Sequence, residues 1–195
     1  VSLCCHSELA SYTMVKSEKD GIQNYVINVP TKRSYSELYD NPDVTRLIGE
    51  LMDDLQPDVV HAHCVQDIGG GVLQAAQARG IPSILSVHDF WWLCERQFMI
   101  KPDRAYCGQD PIRIEGCRGC VSDFDAADKR FTYLQDISAI PARVTYPSKF
   151  AHDLYVSSGF ARGRGVIWEN GVQLPTADFA AKQAGRRKRD KRITF

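Results

Sequence analysis

The sequence predicts an α/β fold, a parallel sheet with helices on both faces, and three observations carry that expectation. Short β-type runs alternate with segments of helical period through the middle of the chain. Each pair of runs is separated by enough residues for a crossover helix, which parallel strands need. The size and balance fit as well: 195 residues, 44% hydrophobic and 25% charged, make one full-sized folded domain.

Taken in order, Val1-Ser2-Leu3-Cys4-Cys5 reads as a strand already under way, and no Met opens the chain. Tyr25–Val29 is a second β-type run, closed by Pro30. Asn41-Pro42 offers an N-cap with Pro at the first helical position. Val44, Leu47, Ile48, Leu51 and Leu55 then recur at helical spacing until Gln56-Pro57. Asp58–His63 is a buried strand. Asp67 can cap a helix carrying Val72, Leu73 and Ala76, with Gly80 just past its end. Ile81–Val87 is the next strand, with Pro82 at its beginning, where a missing N–H is tolerated. After an irregular excursion, Ala127, Phe131, Leu134 and Ile137 mark a third helix. Ala142–Tyr146 is a strand, Ser148–Ser158 a helix ended by Gly159, and Gly165–Trp168 another strand. This alternation defines one Rossmann-like domain over residues 1–175. From Thr176 the pattern dissolves, so 176–195 reads as an exposed basic linker leading into a strand at Ile193-Thr194-Phe195. Both ends look cut, and the expectation is a piece of a longer protein.

Charge excludes some functions. Lys+Arg and Asp+Glu both total 24, so no global field selects nucleic acid. Between Lys182 and Arg192, seven basic residues stand against Asp190, a local +6 that leaves −6 elsewhere. That run suits a solvated linker, or contact with anionic lipid. No apolar run is long enough to span a membrane, and no secretory leader pattern is present. Seven cysteines in a chain with good core composition do not look like a disulfide scaffold. A reducing, cytoplasmic setting fits better.

Polar residues cluster at the carboxyl ends of the expected strands, where open parallel sheets bind ligands. His61 and His63 close one strand and His88-Asp89 the next; Ser148 follows the third, and Glu169-Asn170-Gly171 the last. His61 and His63 share a face; with no third ligand in view, cleft lining is preferred over metal binding. Asp89 either orients His88 or a substrate hydroxyl, or caps the following turn. Gly69-Gly70-Gly71 lacks the Lys and spacing of a phosphate loop, so close packing is favoured. Phe90-Trp91-Trp92 would form a hydrophobic wall more readily than a sugar-stacking face.

Pro57-Asp58-Val59-Val60-His61-Ala62-His63, Arg79-Gly80-Ile81-Pro82 and Val87-His88-Asp89-Phe90-Trp91-Trp92-Leu93-Cys94 resemble the amino-terminal domain of family 4 glycosyltransferases. Tyr146-Pro147-Ser148-Lys149-Phe150 and Glu169-Asn170-Gly171-Val172 extend the resemblance, which covers roughly residues 56–175 in order. It implies one half of the two-domain GT-B architecture and a retaining transfer of sugar from a nucleotide-sugar donor. The acceptor would be a glycan, a lipid-linked compound or a small molecule, with peripheral contact at the inner face of the membrane in the lipid case. His88 would contact the transferred sugar, and Asp89, Ser148, Asn170 and Gly171 would line the cleft. No catalytic metal is implied, because the family neutralises the leaving diphosphate in its other domain. Two departures stand out. The Gly-rich turn with which the family opens is not found, and neither is its nucleotide-sugar domain. The chain would then supply mainly the acceptor side and be inactive alone.

Cys94, Cys107, Cys117 and Cys120 form C-x12-C-x9-C-x2-C inside the irregular excursion. A C-x2-C pair plus two more thiolates suits a closed, structural Zn²⁺ site, with four reduced thiols or an adventitious disulfide as the plainer alternative and an iron–sulfur cluster as the weaker fit. The excursion has few apolar residues to bury and needs a staple to stay ordered. Cys4, Cys5 and Cys64 read as buried strand residues. The rival function is a non-catalytic, zinc-stabilised interaction module. A different Rossmann-type enzyme lacks support, since no G-x-G-x-x-G is present.

Overall fold

The structure, a computed structural model, describes residues 1–161, 163–171 and 175–190. The strands run β1 (Ser2–Cys4), β2 (Thr13–Lys19), β3 (Ile22–Asn28), β4 (Val60–His63), β5 (Ser83–Ser86), β6 (Arg143–Tyr146) and β7 (Gly165–Ile167). The helices are α1 (Pro42–Leu55), α2 (Gly71–Ala78), α3 (Phe124–Ile137), α4 (Lys149–Ser157) and α5 (Ala177–Asp190). Strands β4, β5, β6 and β7 form one sheet in that order, every pair parallel. Helices α2, α3 and α4 occur between them, with a long irregular stretch ahead of α3. This is the Rossmann-like arrangement that the alternation predicts.

The expected single sheet is divided. β1, β3 and β2 form a second, three-stranded sheet, in which β1 is parallel to β3 but β2 and β3 are an antiparallel hairpin. The hairpin turns at Asp20-Gly21, both with positive φ, a two-residue turn that Asp-Gly favours. β2 escapes a search for apolar runs because nearly all of it is exposed. Between Val1 and β4 lies an apolar cleft of about 250 Å³, lined by Ile48, Leu51 and Met52 of α1 and by Val60 and Ala62 of β4.

Local chemistry sets the helices. The Asn41 side chain accepts a hydrogen bond from the Val44 N–H at 3.2 Å, and Pro42 starts α1, as its sequence signature requires. Gln56 ends the helix in the left-handed region. Val44, Ile48, Leu51 and Met52 form the buried stripe. Helix α2 departs from expectation: Asp67 does not cap it, and Gly70 precedes it with no side-chain cap. Asp67 instead takes positive φ and meets Arg33 at 3.4 Å. The three glycines are a packing seam. Gly69 has φ +94° against the backbone of Asn41, and a Cβ on Gly71 would sit 2.2 Å from Thr45 Oγ1 of α1.

Helix α3 buries Ala127, Phe131, Leu134 and Ile137 behind an Asp123 cap. Helix α4 starts at Ser148, whose hydroxyl accepts from the Ala151 N–H at 3.2 Å. The core joins Leu73, Leu85, Leu134, Val144, Tyr146, Leu154 and Phe160, each at most 1% exposed. Two further expectations need correction. Residues 177–190 form a helix where the alternating pattern of the sequence dissolves, because Ala, Gln and Lys favour helix. The strand expected at 193–195 lies outside the described residues. Among the remaining cysteines, Cys4 is half-buried, while Cys5 and Cys64 are exposed because both sit just past a strand end.

Candidate functional site

The site begins with register. In the parallel sheet His63 pairs with Ser86, and Ser86 with Thr145, so three strands end in one row. Side chains two apart on β4 share a face, which puts the His61 and His63 rings 4.0 Å apart. His61 Nε2 hydrogen-bonds Ser86 Oγ at 2.8 Å, and Ser86 Oγ bonds Thr145 Oγ1 at 2.8 Å. Beyond β5, His88 turns back toward β4. Its Nε2 lies 2.9 Å from His63 Nδ1, so one ring donates an N–H to the bare nitrogen of the other. The two rings stack with centroids 5.3 Å apart.

These side chains open on a cleft of about 170 Å³ completed by Trp168, Glu169, Asn170 and Gly171 after β7. It is smaller than the apolar cleft between the sheets, but that cleft is walled mostly by aliphatic side chains. The convergent polar groups belong to the rim of the parallel sheet, where such folds bind ligands.

Electrostatics constrain the rim. His63 has its pKa lowered, by partial desolvation first and by the neighbouring His61 and His88 next. The His63–His88 bond needs one unprotonated nitrogen, so charging both rings removes it. Among the described residues, no three His, Cys, Asp or Glu side chains are placed to hold one ion.

The structure brings His88, Asn170 and Gly171 together around the cleft. Asp89 lies beside them with its carboxylate occupied: Oδ1 accepts from the Trp91 N–H at 2.8 Å, and Oδ2 from the Gln97 amide at 2.6 Å. Both bonds hold the turn after His88, which is the capping geometry. Ser148 does not reach the cleft lining and uses its hydroxyl at the start of α4. Val172 is outside the described residues.

Sequence reasoning overlooked Ser86 and Thr145, the hydroxyls that orient His61; each closes or nearly closes its strand, which is the signal that could have found them. It also passed over Trp168 as a strand residue. Trp168 is 68% exposed and lines the cleft. Trp91 and Trp92 are buried instead, a hydrophobic wall as expected, and Phe90 packs edge-on to Phe150.

The cysteine-bearing excursion is better anchored than its composition implies, because Leu93, Met99 and Ile112 are buried with the two Trp residues. Cys94, Cys107, Cys117 and Cys120 are all half-buried free thiols. Burial raises the pKa of Cys94 and Cys117, and the charges of Cys94, Cys107 and Cys120 all bear on Cys117. The Gln109 amide donates to Cys107 Sγ at 3.5 Å and to Cys117 Sγ at 3.7 Å.

Residues 8–175 match Glycosyltransferase Family 4. The chain belongs to that family. As a family 4 glycosyltransferase domain it is concerned with glycosyl transfer, and the rim of histidines lies at the carboxyl edge of its parallel sheet. No curated protein matches the chain in sequence.

Proposed function

We propose that this domain forms the acceptor side of a retaining glycosyltransferase, which moves a sugar from a nucleotide-sugar donor to a glycan, lipid-linked or small-molecule acceptor. The observation that carries the proposal is His88 at the sheet rim, bonded to His63 and open to the cleft, within a family 4 domain. Retaining transfer without a protein nucleophile depends on placement and on stabilising the charge that develops on the sugar. His88 contacts the transferred sugar, and His63 is a positioning residue that fixes its ring. Asn170 and Gly171 border the substrate, and Trp168 offers its face to a sugar ring. Asp89 acts on the reaction only through the turn it holds.

In this reading the donor nucleotide is bound by a second, GT-B partner domain, and the described domain alone does not turn over. A lipid-linked acceptor would use the basic run of 182–192 at an anionic membrane surface. Among the described residues, no helix is long and apolar enough to cross a membrane.

The test is nucleotide release from a panel of nucleotide-sugars by the domain joined to its nucleotide-sugar domain, with the anomeric configuration of the product read by NMR. Release from one donor with configuration retained is expected. Inversion refutes the retaining mechanism. No release from any donor, by folded protein with acceptors present, leaves the non-catalytic interaction module.

A further inference from the structure

The turn that carries His88 is held on both of its flanks. On the strand side, the Val87 N–H donates to the Thr145 carbonyl at 2.9 Å, which keeps the chain after β5 in step with β6 up to the residue before His88. On the other side, Asp89 is fixed at three oxygens. Its carboxylate takes the Trp91 N–H and the Gln97 amide, and its backbone carbonyl accepts the Tyr155 hydroxyl at 2.7 Å. The His88 ring meets His63, and its direction is inherited from these two neighbours.

Three elements converge on this turn. Tyr155 comes from α4 and is 2% exposed; its ring packs on Tyr146 and Phe160, with centroids 5.2 and 6.1 Å away. Arg130 comes from α3, is buried, donates to the Trp91 carbonyl and lies over the Trp91 ring at 4.6 Å. Gln97 comes from the excursion after β5. Its amide meets Asp89 while its own carbonyl accepts the Phe90 N–H at 3.1 Å, so one residue bonds both positions that follow His88. Gln97 holds φ +64°, a region that residues other than glycine rarely adopt. Strain of this kind persists where the surrounding structure demands the conformation. A buried carbonyl that loses its donor is not re-satisfied by water, so the Tyr155 bond is not readily exchanged.

We infer that Tyr155 and Gln97 are positioning residues for His88: through the backbone and side chain of Asp89 they set the distance of the ring from His63 and its aim into the cleft. Neither belongs to the lining of that cleft, so both act through His88. Tyr155 clamps the turn from the core and Gln97 clamps it from the excursion. The consequence for turnover rests on the transferase reading of His88, whereas the placement of the ring is a property of the domain itself. Misplacing a reacting group by about 1 Å costs about 100-fold in rate, so two clamps remote from the substrate still bear on the reaction.

The experiment compares Tyr155→Phe, Gln97→Met and Gln97→Lys with wild type by two readouts. The first is the nitrogen and proton NMR spectrum of the histidine rings in the chain, where the His63–His88 bond shifts the ring nitrogens that share it. Tyr155→Phe removes only the hydroxyl and Gln97→Met only the amide, and each should weaken that shift. His152, on α4 one turn before Tyr155, reports damage to the helix and should not move. Gln97→Lys returns a donor to Asp89 and should restore the shift. The second readout is the single-turnover rate of the two-domain enzyme at saturating donor, with His88→Ala beside the variants. A loss of about tenfold in Tyr155→Phe and in Gln97→Met, and of about 100-fold in the pair combined, is expected, with Gln97→Lys near wild type. Unchanged ring signals in both Tyr155→Phe and Gln97→Met overturn the inference, as does a shift lost only together with the His152 signal and the melting transition. Unchanged turnover in folded His88→Ala refutes the transferase reading instead, and the ring spectrum then still decides the positioning.

Discussion

At the scale of single residues, the account rests on how two rings are joined. His63 Nδ1 meets His88 Nε2, and Asn is the amide that best reproduces a Nδ1 contact. In intact enzyme, His63→Asn should therefore retain more turnover than His63→Ala, and only the latter should shift the pH profile of turnover. The same pair sets a stability trend. The folded pKa of His63 lies below its ordinary 6.5, so the unfolded chain takes up this proton first as pH falls. Stability from this group is full above 6.5, declines as pH drops below that value, and is lost once pH passes the depressed folded pKa. Melting at pH 5.5 and 7.5 should show a smaller difference for His63→Asn than for wild type. Tyr146 gives a prediction of opposite sign. Its hydroxyl is buried with no hydrogen-bond partner among the described residues, so Tyr146→Phe should be neutral or stabilise by about 1 kcal/mol in denaturant unfolding.

Elements show which features were legible in the sequence. Helices α1, α3 and α4 were marked by local chemistry: Asn41-Pro42, an apolar stripe in α3, and Ser148 with Gly159 around α4. Strands β4 to β7 are short and apolar enough to stand out as runs. β2 did not, because a solvated strand has no buried face to impose alternation. Asp67 has a cap residue's side chain but meets Arg33 in a loop, because cap and loop residues share the same side-chain chemistry and only backbone geometry separates them. The rim histidines were visible as strand-end residues, whereas the His63–His88 bond depends on sheet register and a turn that no spacing encodes. Asn41→Ala should lower stability by about 1 kcal/mol through the lost cap. Gly71→Val should cost more, because Thr45 and the close packing of α1 on α2 leave no room for the side chain.

Across the whole molecule, the parallel sheet is the platform, and in the proposed function its carboxyl edge is the working surface. Four strands end at that edge, and the buried core beneath them fixes their register. Leu85, 1% exposed on the central strand β5, anchors the segment that leads to His88. Leu85→Ala should cost about 2–5 kcal/mol and reduce turnover in proportion to the unfolded fraction, not through the chemical step. The cysteine-bearing excursion contributes no residue to the lining of the cleft after β7. The central claim is that His88 serves glycosyl transfer itself. It is tested by single-turnover rates of wild type and His88→Ala in the two-domain enzyme at saturating donor, with folding of the variant verified by its melting curve. A loss of about 100-fold to 1000-fold with the melting temperature unchanged is the predicted result; an unchanged rate in a folded variant would contradict the account.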